Sequence, residues 1–166
     1  MKRTAYLIIF LALIFISGCN AKSSDVTAIT TGLEFTATAN TENGENIFNV
    51  KISGENQAEI TVMDNEKELF TAFIDGENVC LKYFELEKET SVKALPYGSF
   101  IDIIYSTLCD VKPDTALKYQ NEQYYIDGET ENGYSYKIFF GATGLPFCIE
   151  ETNQKITINL KNVTSV

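Results

Sequence analysis

The chain has 166 residues and a formal net charge of -10, from 13 Lys+Arg against 23 Asp+Glu, with four Cys, no His and no Trp. That length suits one domain with a tail, and an aromatic content of 12% argues against a disordered chain. Without His there is no Ser-His-Asp triad, no Cys-His dyad and no imidazole metal ligand, and the acid excess argues against nucleic acid, whose phosphates need clustered cations.

Lys2 and Arg3 open the chain, and an apolar run follows from Ala5 to Ile16. The run is shorter than the roughly 20 residues a membrane-spanning helix needs, and it has the length of a signal-peptide core. It ends in Ile16-Ser17-Gly18-Cys19. This resembles the lipobox of bacterial lipoproteins: an aliphatic residue, two small ones, then Cys. The resemblance implies that the Cys19 thiol carries a diacylglyceryl group and that the chain is cut after Gly18. The protein would then be held on the extracytoplasmic side of a cell membrane, at about 0.8 kcal/mol per buried CH2. An ordinary secretory signal or a short uncleaved anchor are the plainer readings of the same run. Removing residues 1–18, Lys2 and Arg3 among them, leaves 148 of 166 residues and takes the charge from -10 to -12. Ala21 to about Thr27 is small and polar, and 19–29 reads as a lipidated tether, leaving 30–166 as the folded domain.

The domain opens with alternation. Leu33, Phe35, Ala37 and Ala39 alternate with polar residues, and Asn43-Gly44 marks a turn. Phe48, Val50 and Ile52 form the next run, then Ala58, Ile60 and Val62, with Asp64-Asn65 turning the chain. Leu69–Ile74 follows, Asp75-Gly76 turns again, and Val79, Leu81 and Tyr83 alternate with Cys80 and Lys82. Five short strands, each closed by a hairpin signal, predict an up-and-down meander. From Leu86 the period lengthens. Ser99 with Asp102 three residues on has the pattern of a capping box, and Ile101, Ile104, Tyr105 and Leu108 share one helical face. This predicts a helix ending near Asp110, before Pro113. Strands resume at Leu117–Tyr119 and Tyr124–Ile126, with Asp127-Gly128 read as a turn. Alternation continues through Tyr134–Phe140, then Leu145, Phe147 and Ile149, then Ile156, Ile158 and Leu160. About ten strands and one helical insertion predict a mainly β domain.

The closing segments Tyr134–Ile138, Thr143-Gly144-Leu145-Pro146, Ile149-Glu150 and Ile156–Val163, together with the order of lipobox, meander, helix and meander, resemble the LolA/LolB-like superfamily of lipoprotein carriers, including LprG/LppX-like lipoproteins. The resemblance covers about Thr30 to Val163. It implies a curved antiparallel sheet forming an incomplete β-barrel, with one or two lid helices over a concave face that takes acyl chains. On this reading Phe35, Phe48, Val50, Ile60, Val62, Leu81, Tyr83 and Tyr136 line the face from the strands. Ile101, Ile104 and Leu108 face it from the helix. A sheet packed on an ordinary core shows the same alternation.

Little else carries chemistry. With Cys19 lipidated, Cys80, Cys109 and Cys148 allow one internal disulfide and a spare thiol, or are three small buried thiols; none has a His to activate it. Glu85, Glu87, Glu89 and Glu150-Glu151 read as solvated faces and turns rather than a paired-acid site. Tyr124, Tyr125, Tyr134 and Tyr136 read as sheet packing with hydroxyls in water. No cofactor and no metal are expected. The expected function is a membrane-anchored lipoprotein that binds or carries a lipid or acyl chain, with no enzymatic activity. The alternative is an envelope protein-interaction or sensing module with no lipid ligand, its protein partner unknown.

Overall fold

The computed structural model describes residues 29, 32–41, 44–54, 56–112 and 115–166. The N-terminal apolar run, the lipobox with Cys19 and the tether up to residue 28 lie outside them. Eleven strands are present among the described residues: β1 (Leu33–Thr41), β2 (Gly44–Ile52), β3 (Gln57–Asp64), β4 (Lys67–Asp75), β5 (Asn78–Tyr83), β6 (Leu86–Thr90), β7 (Lys118–Gln120), β8 (Gln123–Glu129), β9 (Ser135–Phe140), β10 (Pro146–Glu151) and β11 (Ile156–Ser165). A 3-10 turn at Val92–Ala94 and one α-helix, α1 (Gly98–Asp110), lie between β6 and β7. Among the described residues no helix is long and apolar enough to cross a membrane.

All the strands belong to one sheet in the order β6-β5-β4-β3-β2-β1-β11-β10-β9-β8-β7. Neighbours are antiparallel, so two meanders, β1–β6 and β7–β11, meet along the seam where β1 pairs with β11. The sheet is not closed: β6 and β7 are free edges. The fold is therefore the expected incomplete barrel with one helix among the described residues.

Alternation decides which face is buried. Ala58, Ile60 and Val62 are buried on β3 while Gln57 and Glu59 are exposed. Register carries this phase across the seam, with Ala37 opposite both Phe48 and Leu160, and Ala39 opposite Ile158. The inward residues of both meanders join α1 in one core. Three register shifts, between Glu34 and Thr36, Val62 and Met63, and Pro146 and Cys148, add local twist.

Curvature follows from reach. The strands β4 and β9 are six places apart, about 29 Å in a flat sheet at 4.8 Å per strand. One side of α1 nevertheless bonds the turn beside β4 and another side bonds β9, as described below. A helix is about 10–12 Å across with its side chains, so the sheet must curl around it.

Four expectations are corrected. Leu86–Thr90, read as the start of a longer period, is a strand paired with β5. Its residues Leu-Glu-Lys-Glu-Thr are nearly all exposed on a free edge, so no buried face imposes an alternation. Ser99 does not cap α1. The chain enters the helix through Tyr97 in the left-handed region (φ 59°) and Gly98, where a Cβ would lie 2.3 Å from the Val92 carbonyl oxygen, so Ser99 is already inside. Phe147 is 39% exposed while Pro146, Cys148 and Ile149 are buried, because the bulge at Pro146 breaks the phase. Asp127-Gly128 is not a turn but the middle of β8, and the chain reverses at 130–134 instead.

Gly128 is there for space: a Cβ would lie 2.7 Å from the Tyr136 hydroxyl and 2.8 Å from its Cζ. Gly128→Ala should therefore destabilise the domain by about 1–3 kcal/mol, read from urea midpoints. Gly128→Asn should be worse than Ala, the reverse of the order a turn glycine would give.

Candidate functional site

The concave side is occupied by α1. The run Phe100-Ile101-Asp102-Ile103-Ile104 places apolar side chains on more than one face of the helix, and Ile101, Ile103 and Ile104 are fully buried. At the start of the helix, the Phe48 ring of β2 meets Tyr97 edge-on at 6.4 Å and Phe100 at 6.1 Å. Burying each of these isoleucines stabilises the closed arrangement by roughly 1.5–3 kcal/mol.

Two different polar contacts fix the helix. Toward the β7–β11 meander, Asp102 is 4% exposed and its carboxylate accepts from Tyr134 OH (2.9 Å) and Asn132 Nδ2 (3.1 Å), and within the helix from Ser106 Oγ (3.0 Å). Asp110 accepts a fourth contact from Tyr136 OH at 2.7 Å. Toward the β1–β6 meander there is one hydroxyl. Tyr105 OH donates to the Asn56 carbonyl at 3.0 Å and the Gly76 carbonyl at 3.3 Å, in the turns that follow β2 and β4. Tyr134 and Tyr136 thus do not leave their hydroxyls in water, because two helix carboxylates accept them. Among the described residues no buried side-chain polar atom lacks a hydrogen-bond partner.

The sequence-predicted lining residues divide cleanly. Phe35, Phe48, Val50, Ile60, Val62, Ile101, Ile104, Leu108 and Tyr136 are buried and packed together in the one core. Leu81 is partly buried, and Tyr83, next along the inward phase of β5, is 48% exposed. The same thing happens at the opposite edge. Tyr124 pairs with Phe140 and Tyr119 with Tyr124, yet their exposures are 40% and 62%, and the two rings touch at 4.8 Å. The inward face therefore continues past the helix as open apolar surface on both free edges. Two surface grooves of about 340 Å³ each include outward residues such as Thr36, Asn49 and Thr61 in one and Phe73, Cys80 and Glu89 in the other; among the described residues neither includes part of α1.

Cys80, Cys109 and Cys148 are all free thiols. Burial pushes Cys109 and Cys148 up to about 11 from an ordinary 9.0, so both stay protonated and unreactive at neutral pH. Burial likewise raises Tyr105 to about 12, and burial together with the bond to Asp102 raises Tyr134 to about 12. Glu151, expected on a solvated face, is 1% exposed and accepts the Asn153 and Gln154 backbone N–H groups, which locks the turn after β10. Among the described residues no group of three or more Cys, Asp or Glu is placed to hold a metal ion. What the site offers is apolar surface and a helix held at both sides.

The partners of α1 were not singled out by spacing. The available signal was Asp102 itself, an acid inside a continuous apolar run, which demands buried donors.

No protein-family model matches the chain, and no curated protein matches it in sequence. Among solved structures it is similar to the LolA superfamily protein NE2245 from Nitrosomonas europaea, at 7% identity and a TM-score of 0.40, over 90% of this chain and 94% of that one.

The raised thiols and hydroxyls make stability fall at high pH. Below pH 9 both the folded and the unfolded chain keep these protons. Between pH 9 and about 11 the unfolded thiols ionise while the folded ones cannot, so unfolding is favoured. The urea midpoint should drop from pH 8.5 to 10.5, and drop less in a Cys109→Ala/Cys148→Ala variant.

Proposed function

We propose that the protein is a bacterial lipoprotein, anchored through Cys19 on the extracytoplasmic side of a membrane, that binds or carries a lipid or acyl chain on its concave face. Binding would be by apolar contact alone, without covalent chemistry. The observation that carries this reading is the open continuation of the inward face past α1, at Leu81 and Tyr83 on one edge and Tyr119 and Tyr124 on the other. An inward-facing apolar surface left in water is a standing site for an apolar ligand. A chain entering there meets the packed core next, and α1 would lift to let it in. Phe48, Ile60, Val62 and the inward side of Ile101, Ile104 and Leu108 would then change from core to lining.

A second reading is favoured by the same exposed edges. Tyr119 on the free edge strand β7, and Leu86 at 72% exposure on β6, would suit a protein partner, with the concave face left free of lipid.

Native mass spectrometry of the protein purified from its own membranes separates the two. A mass excess that extracts as lipid is expected, together with uptake of a fluorescent fatty acid. Leu81→Gln, at a partly buried position, should weaken that uptake about tenfold or more while moving the Tm little. Protein that is repeatedly ligand-free and takes up no fatty acid would rule out the carrier reading.

A further inference from the structure

Four hairpins of this sheet each close on two residues, the first in the left-handed region and the second Glu, and one of them departs in its composition. The first residues are Asn65 (φ 55°), Gly76 (φ 60°), Phe84 (φ 54°) and Asn121 (φ 52°); after Asn121 the Glu122 backbone is left-handed too (φ 63°). Asn and Gly are what this backbone tolerates, and a bulky aromatic residue there is strained. The flanking pairs follow the same split. Asp64–Lys67, Asp75–Asn78 and Gln120–Gln123 are polar, whereas the pair beside Phe84 is Tyr83–Leu86. Phe84 and Leu86 are 71% and 72% exposed, and the Tyr83 and Phe84 rings meet edge-on at 4.6 Å. The chain closes three of these hairpins with polar residues and one with Tyr-Phe-Glu-Leu. The fold does not require that sequence, and strain and exposure both act against it.

We infer that the β5–β6 hairpin tip is a membrane-contacting wedge that sets Phe84 and Leu86 into the interfacial layer of a bilayer. The inference rests on the anchored-lipoprotein reading above. Ile29, ten residues after Cys19, is already buried in the core, so the anchor lies at most about 34 Å from it. The tip lies at the end of β5 away from Gly76, which is the opposite end of the sheet from Leu33. The nine residues of β1 measure about 31 Å, within the reach of the tether. Charges limit the depth: Glu85 lies in the tip itself, between Phe84 and Leu86, and Lys82, Glu87 and Lys88 sit within a few residues of it, so the tip enters the interface and no further. A second copy pairing through β6 is disfavoured. Antiparallel pairing centred on Lys88 sets Lys against Lys and Glu87 against Glu89.

The chain has no Trp, so Phe84→Trp supplies a single indole reporter. The full chain, produced in a host that processes it, is reconstituted with vesicles of zwitterionic phosphatidylcholine and floated. The indole emission of the Phe84→Trp variant should shift to the blue and be quenched by brominated phosphatidylcholine. An Asn121→Trp control, in the β7–β8 turn, should stay water-like. A floated Phe84→Trp protein whose indole remains in water and unquenched overturns the wedge alone. A protein absent from the floated vesicles overturns the wedge and the anchor together. A blue shift without vesicles that grows with protein concentration means a second copy covers the tip, and overturns the wedge too. As an independent arm, Phe84→Asn should raise the Tm, since Asn relieves the turn. A lowered Tm would mean that Phe84 serves the fold, and would overturn the inference.

Discussion

The connection between β6 and β7 joins the two free edges of a single sheet, and the rest of the structure depends on that. The edges are the last strands of two meanders that share only the β1–β11 seam. A connection from one edge to the other has to cross the open side, and the α-helix described in it, α1, is 13 residues or about 20 Å long. Both meanders therefore bend toward it until their inward residues touch it. The barrel stays incomplete because a helix fills the place where further strand pairing would close it.

The two sides of that contact differ in kind. The β7–β11 meander holds α1 by directional bonds to two carboxylates. One of these, Asp102, is so buried that losing any of its three donors leaves charge poorly solvated. The β1–β6 meander holds it mainly by apolar contact, with the Tyr105 hydroxyl shared between two carbonyls and the Cys109 thiol against the Asn56 backbone. Apolar contact has no fixed direction, so another apolar surface can replace it. Carboxylate bonds cannot be exchanged for an acyl chain. On the carrier reading the helix would stay with β8 and β9 and part from β2–β5, and a ligand would replace what the helix had supplied there.

Much of this was legible in the sequence, for a physical reason. Where one face of a strand is buried, the alternation records it, so β1–β5 and β9–β11 could be read from Leu33, Ile60 or Ile158 and their neighbours. Strand β6 was missed because an edge strand with both faces in water has no pattern to show. Gly128 was misread because its contact, the Tyr136 ring, is local only in space. The seam between β1 and β11 joins residues more than a hundred positions apart, as in Leu33 opposite Ser165, and no local signal encodes it. The candidate lining residues share one inward phase, and all but Leu81 and Tyr83 are buried. Alternation alone cannot say which part the helix covers and which part, from Leu81 to Tyr83, it leaves open.

Among the described residues that break the local rules of their own elements are an acid in an apolar helix run, a glycine inside a strand and a phenylalanine in a left-handed turn. A sequence that specifies one structure keeps such conflicts few and answers each one. Asp102 is answered by Tyr134, Asn132 and Ser106, and Gly128 by the ring laid over it. Phe84 has Tyr83 beside it and water over most of the rest. The first two conflicts thus belong to folding, since their resolution lies inside the domain. The third has its resolution outside the domain, and so it points to a surface that this hairpin meets.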